Sequence, residues 1–290
     1  MLLNMKEILK PADEHHFALP AFNIGTGQIL NGVMDTCERL KAPVILAIHP
    51  LELEFQGESF IKMCMDRANK SKIPVCIHLD HSDWLPITKA IRAGFTSVMI
   101  DASSKPLDEN ITITKKVCEL AHPLGVSVEG ELGTIGVADS AEGGADQILY
   151  TKPEDAVRFI EETGVDCLAI AIGTSHGLYP KGMQPELKQD LLTEIKSKVS
   201  VPLVLHGGSG NKDSEIAEAV KRGISKVNIS SDIKDAFYQR LRVTLEDKKI
   251  REPFELYPDS VKAMNEVVEH KVKLFNDDDK LKYYVLDEMI

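Results

Sequence analysis

The sequence predicts an α/β fold, a (β/α)8 TIM barrel with an additional C-terminal helical segment, and three observations carry that reading. Short apolar runs alternate with helical stretches along the chain. Most of these runs are near-continuously apolar, as parallel strands buried on both faces must be. Eight such units fill most of the 290 residues, a length ordinary for one α/β barrel. A doubly wound open sheet is the alternative, but no Gly-x-Gly-x-x-Gly follows the first strand.

In chain order, FALPAF (17–22) reads as the first strand, followed by a helix over 27–40. APVILAI (42–48) and IPVCIHL (73–79) flank a helix over 58–71, and helix 84–93 leads to FTSVMI (95–100). Helix 107–121 precedes GVSVEGEL (125–132), and helix 153–163 precedes DCLAIAI (166–172). The last units are helix 187–198 with VPLVLH (201–206), helix 211–222 with SKVNI (225–229), and a closing helix over 231–245. Residues 133–150 are rich in Gly, Ala and Asp and form the best candidate for a mobile loop, because barrels carry function on the loops that follow their strands. Beyond the eighth unit, YPDSVKAMNEVVEHKVKLF reads as a terminal helix and NDDDK as an exposed turn, so 1–290 form one domain with a helical extension over 245–290.

Composition narrows the function classes. The chain is 43% hydrophobic and 27% charged, as expected of a soluble globular protein. Its net charge of −11 argues against nucleic acid, which calls for basic clustering. No apolar run approaches a membrane span of about 18 residues, and the N-terminus lacks the pattern of a secretory signal. Five scattered cysteines, at 37, 64, 76, 118 and 167, contain no Cys-x-x-Cys and read as reduced thiols of a cytoplasmic protein.

Active sites of barrels form at the C-terminal ends of the strands. Reading those ends in order gives Asp80-His81, Asp101, the pair Glu129 and Glu131, His176, His206 and Asn228. A lone histidine at a strand end is most often a hydrogen-bonding residue, but three at one mouth form a candidate metal site. His81, His176 and His206 can converge on one ion, since catalytic zinc keeps three protein ligands and one open position. Asp80 would then stand beside that position as acid or base. Strict alternation along the third strand would point His78 and Asp80 one way, and Leu79 and His81 the other. His78 is expected at the barrel wall or behind the site, and His15, His16, His122 and His270 at helical or surface positions.

The seventh and eighth loops add an independent signal. HGGSG and NISSD each run directly into a helix, the arrangement in which barrels hold phosphate at a helix N-terminus. Gly207 and Gly208 allow close approach of backbone to an anion, and Ser209 and Ser231 can donate hydroxyls. The plainer alternative is a pair of turns with serine caps.

Together PAFNI, HLDH, SVMIDAS, VEGELGTIG, AIGTSHGLY, PLVLHGGSG and KVNISSDIKDAF resemble the class II, metal-dependent ketose-bisphosphate aldolases, which include fructose-1,6- and tagatose-1,6-bisphosphate aldolases. The resemblance runs over 5–245 and its motif order is specific. It implies zinc on His81, His176 and His206, with Asp80 as the catalytic aspartate. It puts Asp101 and Glu131 where some members hold a second metal ion. Contacts to the dihydroxyacetone phosphate half fall on Gly177, Gly207, Gly208, Ser209, Asn228, Ile229, Ser230 and Ser231. The resemblance also implies a monovalent cation near the phosphate and a homodimer or homotetramer. The reaction it implies is cleavage of a ketose 1,6-bisphosphate to dihydroxyacetone phosphate and glyceraldehyde 3-phosphate. Other ketose phosphates remain an alternative, as does a non-catalytic sugar-phosphate-binding barrel. A metal-dependent hydrolase would need His-x-His on the first strand, which ALPAFNI lacks. A lysine Schiff base is the other route to aldol cleavage, but no lysine is expected at the end of an inner strand.

The chain departs from the family in three places. Many members carry Gly-Gly-x-Glu-Asp in the mobile loop, whose glutamate exchanges a proton with the enediolate; here Glu142 and Asp139 are the candidates. His49 stands where a small hydroxyl residue is usual. Lys234 sits where an arginine often binds the far phosphate, and NISSDIKDAF is closer to the tagatose-type loop than to the fructose type.

Overall fold

In the computed structural model, which describes residues 1–137, 148–179 and 185–284, the eight predicted strands close into a parallel barrel. They are β1 (Leu19–Asn23), β2 (Val44–Ile48), β3 (Val75–Ser82), β4 (Ser97–Ile100), β5 (Ser127–Leu132), β6 (Cys167–Ile170), β7 (Leu203–Leu205) and β8 (Ile224–Ile229). Each strand pairs with its neighbour in sequence, and β8 pairs with β1 to close the ring. All eight predicted helices are present. β3 runs past its expected end to Ser82, and that difference shapes the site.

Alternation gives each strand two buried faces with different duties. Outward residues such as Leu46, Ile77, Leu79, Val128, Leu168, Leu205 and Val227 pack in the layer shared with the helices. Inward residues at the lower end, including Leu19, Ala21, Ile45, Ala47, Cys76, Cys167, Ala169 and Val204, form a second apolar cluster. A helix the sequence reading did not single out, Met5–His15, seals that cluster with Met5, Ile8, Leu9 and Ala12. Asn4 starts this helix with a reciprocal capping box to Glu7, which satisfies two otherwise orphan amides. The N-terminal segment also bonds to the start of β3, through Leu3 N–H to the Val75 carbonyl at 2.9 Å. The floor of the barrel is therefore closed and dry, and polar inward residues lie above it. All five cysteines are buried and free, with Cys76 and Cys167 in the inner cluster.

A second unexpected helix, Pro50–Gln56, follows β2 directly and is capped by His49, whose Nδ1 accepts the Leu51 N–H at 3.2 Å. The expected terminal helix spans Pro258–Leu274 and packs against helices Gly27–Leu40 and Ser231–Thr244. No described helix is long and apolar enough to cross a membrane.

The NDDDK segment forms the expected turn and exposes Asn276 and Asp279, but not Asp277. Asp277 is fully buried, and neither carboxylate oxygen has a hydrogen-bond partner among the described residues. The backbone explains the placement: Asp277 N–H bonds to the Val272 carbonyl, while Asp279 and Leu281 N–H bond to Leu40 and Lys41 carbonyls, which clamps the turn against the barrel. Burial holds the Asp277 carboxyl well above the usual range. As pH rises, the unfolded chain ionises first, at about 4, so the folded state loses stability from there up through the raised folded value. Asp277→Asn, which keeps the shape but cannot ionise, is expected to stabilise the protein at pH 7 by about 1.4 kcal/mol for each pH unit over which only the unfolded chain is ionised. The difference from wild type should vanish near pH 3, as measured by denaturant unfolding across pH.

Candidate active site

The answer to why His-Leu-Asp-His closes a strand lies in its backbone. The pairing of β3 with β4 shifts register between Leu79 and Ser82, and His81 adopts a left-handed φ of 43°. Regular alternation would have sent His81 outward with Leu79. The left-handed turn instead brings it to the mouth beside inward-facing Asp80, correcting the expectation of a regular strand. Such a conformation costs a non-glycine residue on the order of 1–3 kcal/mol and persists where its surroundings over-determine it.

Those surroundings are His176 and His206. The three rings lie with centroids 4.8, 4.5 and 6.2 Å apart, and one nitrogen from each falls within 4.8 Å of the others. His81 Nε2 and His206 Nδ1 face each other at 2.7 Å. Two zinc-bound imidazole nitrogens in a tetrahedron stand roughly 3.4 Å apart, so sub-ångström opening of this pair accommodates the ion. The donor set is therefore one that zinc fits.

Both facing rings are backed by carboxylates. His81 Nδ1 contacts Asp101 Oδ2 at 3.2 Å, and His206 Nε2 contacts Glu129 Oε1 at 2.7 Å. Such partners fix the tautomer and leave the opposite nitrogen as a donor to metal. Asp101 is itself held by the Ser103 amide at 3.2 Å and hydroxyl at 2.7 Å. Glu131 is buried beside them, with Oε2 unpartnered and 4.0 Å from His81 Nδ1. Burial, then the Asp101 charge, pushes Glu131 up to about 8. Burial alone would lower His81, but Asp80, Asp101 and Glu131 raise it to about 10. The acids thus favour positive charge at this point, whether a proton or a metal ion supplies it. His81, Asp101 and Glu131 also form a second group of ligand-bearing atoms that could hold a cation.

Asp80 is buried, yet its carboxylate is fully engaged. Asn23 donates to Oδ2 at 2.8 Å and Asn228 to Oδ1 at 3.0 Å. Burial opposes ionisation, but the charges of His81, His206 and Lys226 outweigh it and hold Asp80 well below the usual range. Asn228 also stands 3.3 Å from His206 Nδ1, so one amide touches both the acid and a ring.

Below the mouth lies a buried charge network that the sequence reading did not assign. Glu129 Oε2 pairs with Lys226 Nζ at 2.7 Å, and Lys226 lies 3.5 Å from His78 Nε2. His78 is anchored by Ser97 at 2.8 Å and lowered to about 3 by burial and the Lys226 charge, so it stays neutral. His78 therefore sits behind the site, as expected. Lys226 is an inner-strand lysine, but it lies below the mouth in an ion pair. Its signal in the sequence was one cation in the run ISKVNI, two residues before Asn228 and on the same face. Asn23 was legible the same way, as the polar end of PAFNI.

A cleft of about 470 Å³ opens above these residues. It is bordered by Asn23, Asp80, His81 and His176, by Gly177, Gly207, Ser209, Asn228 and Ser230, and by His49, Leu51, Glu52 and Lys234. Gly207 has a φ of 63°, and a Cβ there would meet the Ser175 carbonyl oxygen at 2.5 Å, so only glycine lets this loop lie beside His176. Ser209 Oγ accepts the Ser230 and Asp232 N–H groups at 3.3 and 3.4 Å, marking the amide-rich start of helix Ser231–Thr244. Gly208 and Ile229 do not border the cleft: the Gly208 N–H bonds to the Asn228 carbonyl, and the Ile229 side chain lies in the outer core. Ser231 opens the helix. Glu142 and Asp139 lie outside the described residues.

Glu129→Gln is expected to lower divalent-cation affinity about 10–100-fold, the usual effect of losing such a partner, read by zinc titration. Lys226→Met leaves Glu129 charged and unpaired, and should destabilise the fold by about 3–5 kcal/mol in chemical denaturation.

Comparison with known proteins matches this architecture. The family model for class-II fructose-bisphosphate aldolase covers residues 3–280. The D-tagatose-1,6-bisphosphate aldolase subunit GatY of Klebsiella oxytoca is 38% identical over 92% of this chain and 95% of its own. The fructose-bisphosphate aldolase of Thermus caldophilus is 35% identical over 95% and 98%. Among solved structures, the YdjI aldolase of Escherichia coli K12 superposes with a TM-score of 0.82 at 34% identity, over 97% of this chain and 100% of that one. The chain belongs to the class-II fructose-bisphosphate aldolase family.

Proposed function

We propose that the protein is a zinc-dependent aldolase that cleaves a ketose phosphate between C3 and C4 and releases dihydroxyacetone phosphate and an aldehyde. The observation that carries this reading is the convergence of His81, His176 and His206 beside a buried, ionised Asp80, at the mouth of a barrel that belongs to an aldolase family.

The three histidines would hold the ion. When bound, zinc supplies Lewis-acid stabilisation of the enediolate charge that develops as the bond breaks. The chain's own residues do the rest. Asp80 takes the C4 hydroxyl proton; the C3–C4 electron pair moves to C3, and C4 becomes the aldehyde carbon; a proton delivered to C3, for which Glu142 and Asp139 are the candidates, completes dihydroxyacetone phosphate. In the condensation direction Asp80 returns the same proton. Asn23 and Asn228 fix the carboxylate so that it presents one orientation to the substrate. The charges of His81, His206 and Lys226 keep it a base at neutral pH despite its burial, and both amides hydrogen-bond its charged form.

The phosphate of the dihydroxyacetone half is assigned to the loop at Gly207 and Ser209, with Ser230 and the N-terminus of helix Ser231–Thr244. Backbone amides and the helix dipole favour an anion there. Gly177 borders the same end of the cleft. Gly208 and Ser231 contribute by shaping this loop and helix start. Asp101 and Glu131 steady His81 and offer a second cation position. The tagatose- and fructose-1,6-bisphosphates for which the relatives are named share this half. The aldehyde product would be glyceraldehyde 3-phosphate where the far end carries phosphate, and an uncharged aldehyde where it does not.

Purified protein loaded with zinc should form dihydroxyacetone phosphate from a panel of ketose phosphates, lose that activity on chelation and regain it with added zinc. Absence of any cleavage would end the proposal. Asp80→Ala should retain zinc and lose roughly 10²-fold or more in kcat, the typical loss with a general acid–base residue. His206→Ala should instead deplete the metal. Equal zinc loss in the two variants, by elemental analysis, would contradict the separation of roles.

A further inference from the structure

The far side of the cleft carries a feature that neither the reaction nor the family assignment uses. Beyond the phosphate loop, His49, Leu51 and Glu52 of the segment after β2 border the cleft, and Lys234, one turn into the helix Ser231–Thr244, reaches toward them. The sequence reading placed Lys234 where a far phosphate would bind. The structure gives its charge a partner within the chain: Lys234 Nζ lies 3.5 Å from Glu52 Oε1, both side chains being under one-third exposed.

Glu52 is held in that position from both ends of its helix. His49 caps the start, Pro50 fixes the first turn, and Gln56 donates to the Gly25 carbonyl in the segment after β1. The Glu52 carboxylate lies directly over Gly25, where an added Cβ would stand 2.8 Å from its carboxyl carbon and both oxygens. The carboxylate is thus placed above the end of β1, beside the strand that supplies Asn23 to Asp80.

The two ends of the cleft therefore differ in charge. At the phosphate loop the lining residues are glycines, serines and the amides of a helix start. At the far end, among the described residues, the Lys234 cation is matched by the Glu52 anion. A terminal phosphate, which carries −1.5 to −2 charge at neutral pH, would have to break the Lys234–Glu52 pair or sit against a carboxylate of like sign. Hydroxyl groups meet neither obstacle. They donate to Glu52 and accept from Lys234 in charge-assisted hydrogen bonds, with both ions still paired.

We propose that Glu52 selects the aldehyde half of the substrate, so that the protein acts on ketose 1-phosphates with an uncharged, hydroxylated far end and discriminates against a second, terminal phosphate. This proposal rests on the aldolase reading above. It also draws a specific consequence from His49-Pro50-Leu51-Glu52, the stretch where the chain departs from its family's usual small hydroxyl residue.

The test is condensation of dihydroxyacetone phosphate with paired aldehydes by the zinc-loaded protein: glyceraldehyde against glyceraldehyde 3-phosphate, erythrose against erythrose 4-phosphate, and ribose against ribose 5-phosphate. For wild type, kcat/KM for the best unphosphorylated aldehyde should equal or exceed that for its phosphate. Glu52→Gln should shift this ratio about tenfold toward the phosphate, mainly through KM, with zinc content unchanged. Lys234→Gln should weaken both members of a pair and should not reproduce that shift. A wild-type preference for the phosphates of tenfold or more, or a ratio left unaltered by Glu52→Gln, would overturn the role of Glu52 and leave the aldolase reading standing. Failure to condense any of the six would remove both.

Discussion

The mouth of this barrel depends on one buried glutamate. Glu129 is fully enclosed, and its two oxygens are divided between a lysine below and a histidine above. A charge in such a place is tolerated only when paired and hydrogen-bonded, and Lys226 supplies the pairing. Once its charge is matched, the remaining oxygen is free to orient His206. The ring nitrogen that faces the cleft is then a donor to metal because the other is committed to Glu129. The network links the interior of the barrel to the chemistry at its mouth, and it explains why the centre of the barrel is polar while its floor is sealed by apolar residues.

The second constraint is the left-handed residue at the end of β3. Two consecutive side chains of a strand cannot ordinarily face the same way. The conformation of His81 removes that restriction, placing the proposed metal ligand His81 and the proposed acid–base group Asp80 side by side without a loop between them. Three carboxyl groups surround that ring and draw positive charge to it. Asp80 gains as well, since the same positive charge keeps it ionised despite complete burial. Asp80 and the His81 ring thus favour each other's charged states.

The cleft has a division of labour along its length. The end proposed to take phosphate is made of backbone amides, glycines and hydroxyls, which suit an anion without requiring basic residues in a chain of net charge −11. Its far end carries a matched pair of charges, Glu52 on a short, pinned helix and Lys234 on the helix Ser231–Thr244. The half of the substrate that is chemically invariant would meet backbone, and the half that can differ would meet side chains.

The sequence by itself determined the barrel, because parallel strands buried on both faces must be short and apolar, and eight of them alternate with helices. It also located the histidines, Asp80, Asp101, Glu131 and the two glycine- and serine-bearing loops after β7 and β8, since strand ends are where a barrel collects its polar groups. Three things were left to the tertiary structure. Periodicity assigned His81 to the outer face, and only the register shift against β4 reveals the turn that reverses it. Lys226 and Glu129 are far apart in sequence, so their pairing appears only when β5 and β8 face each other across a closed ring. Asp277 lies in a run that reads as solvent-exposed, and its burial is decided by backbone bonds to the helix Gly27–Leu40 and the residue after it. In each case the deciding contact joins residues distant along the chain, which no local pattern of hydrophobicity or charge records.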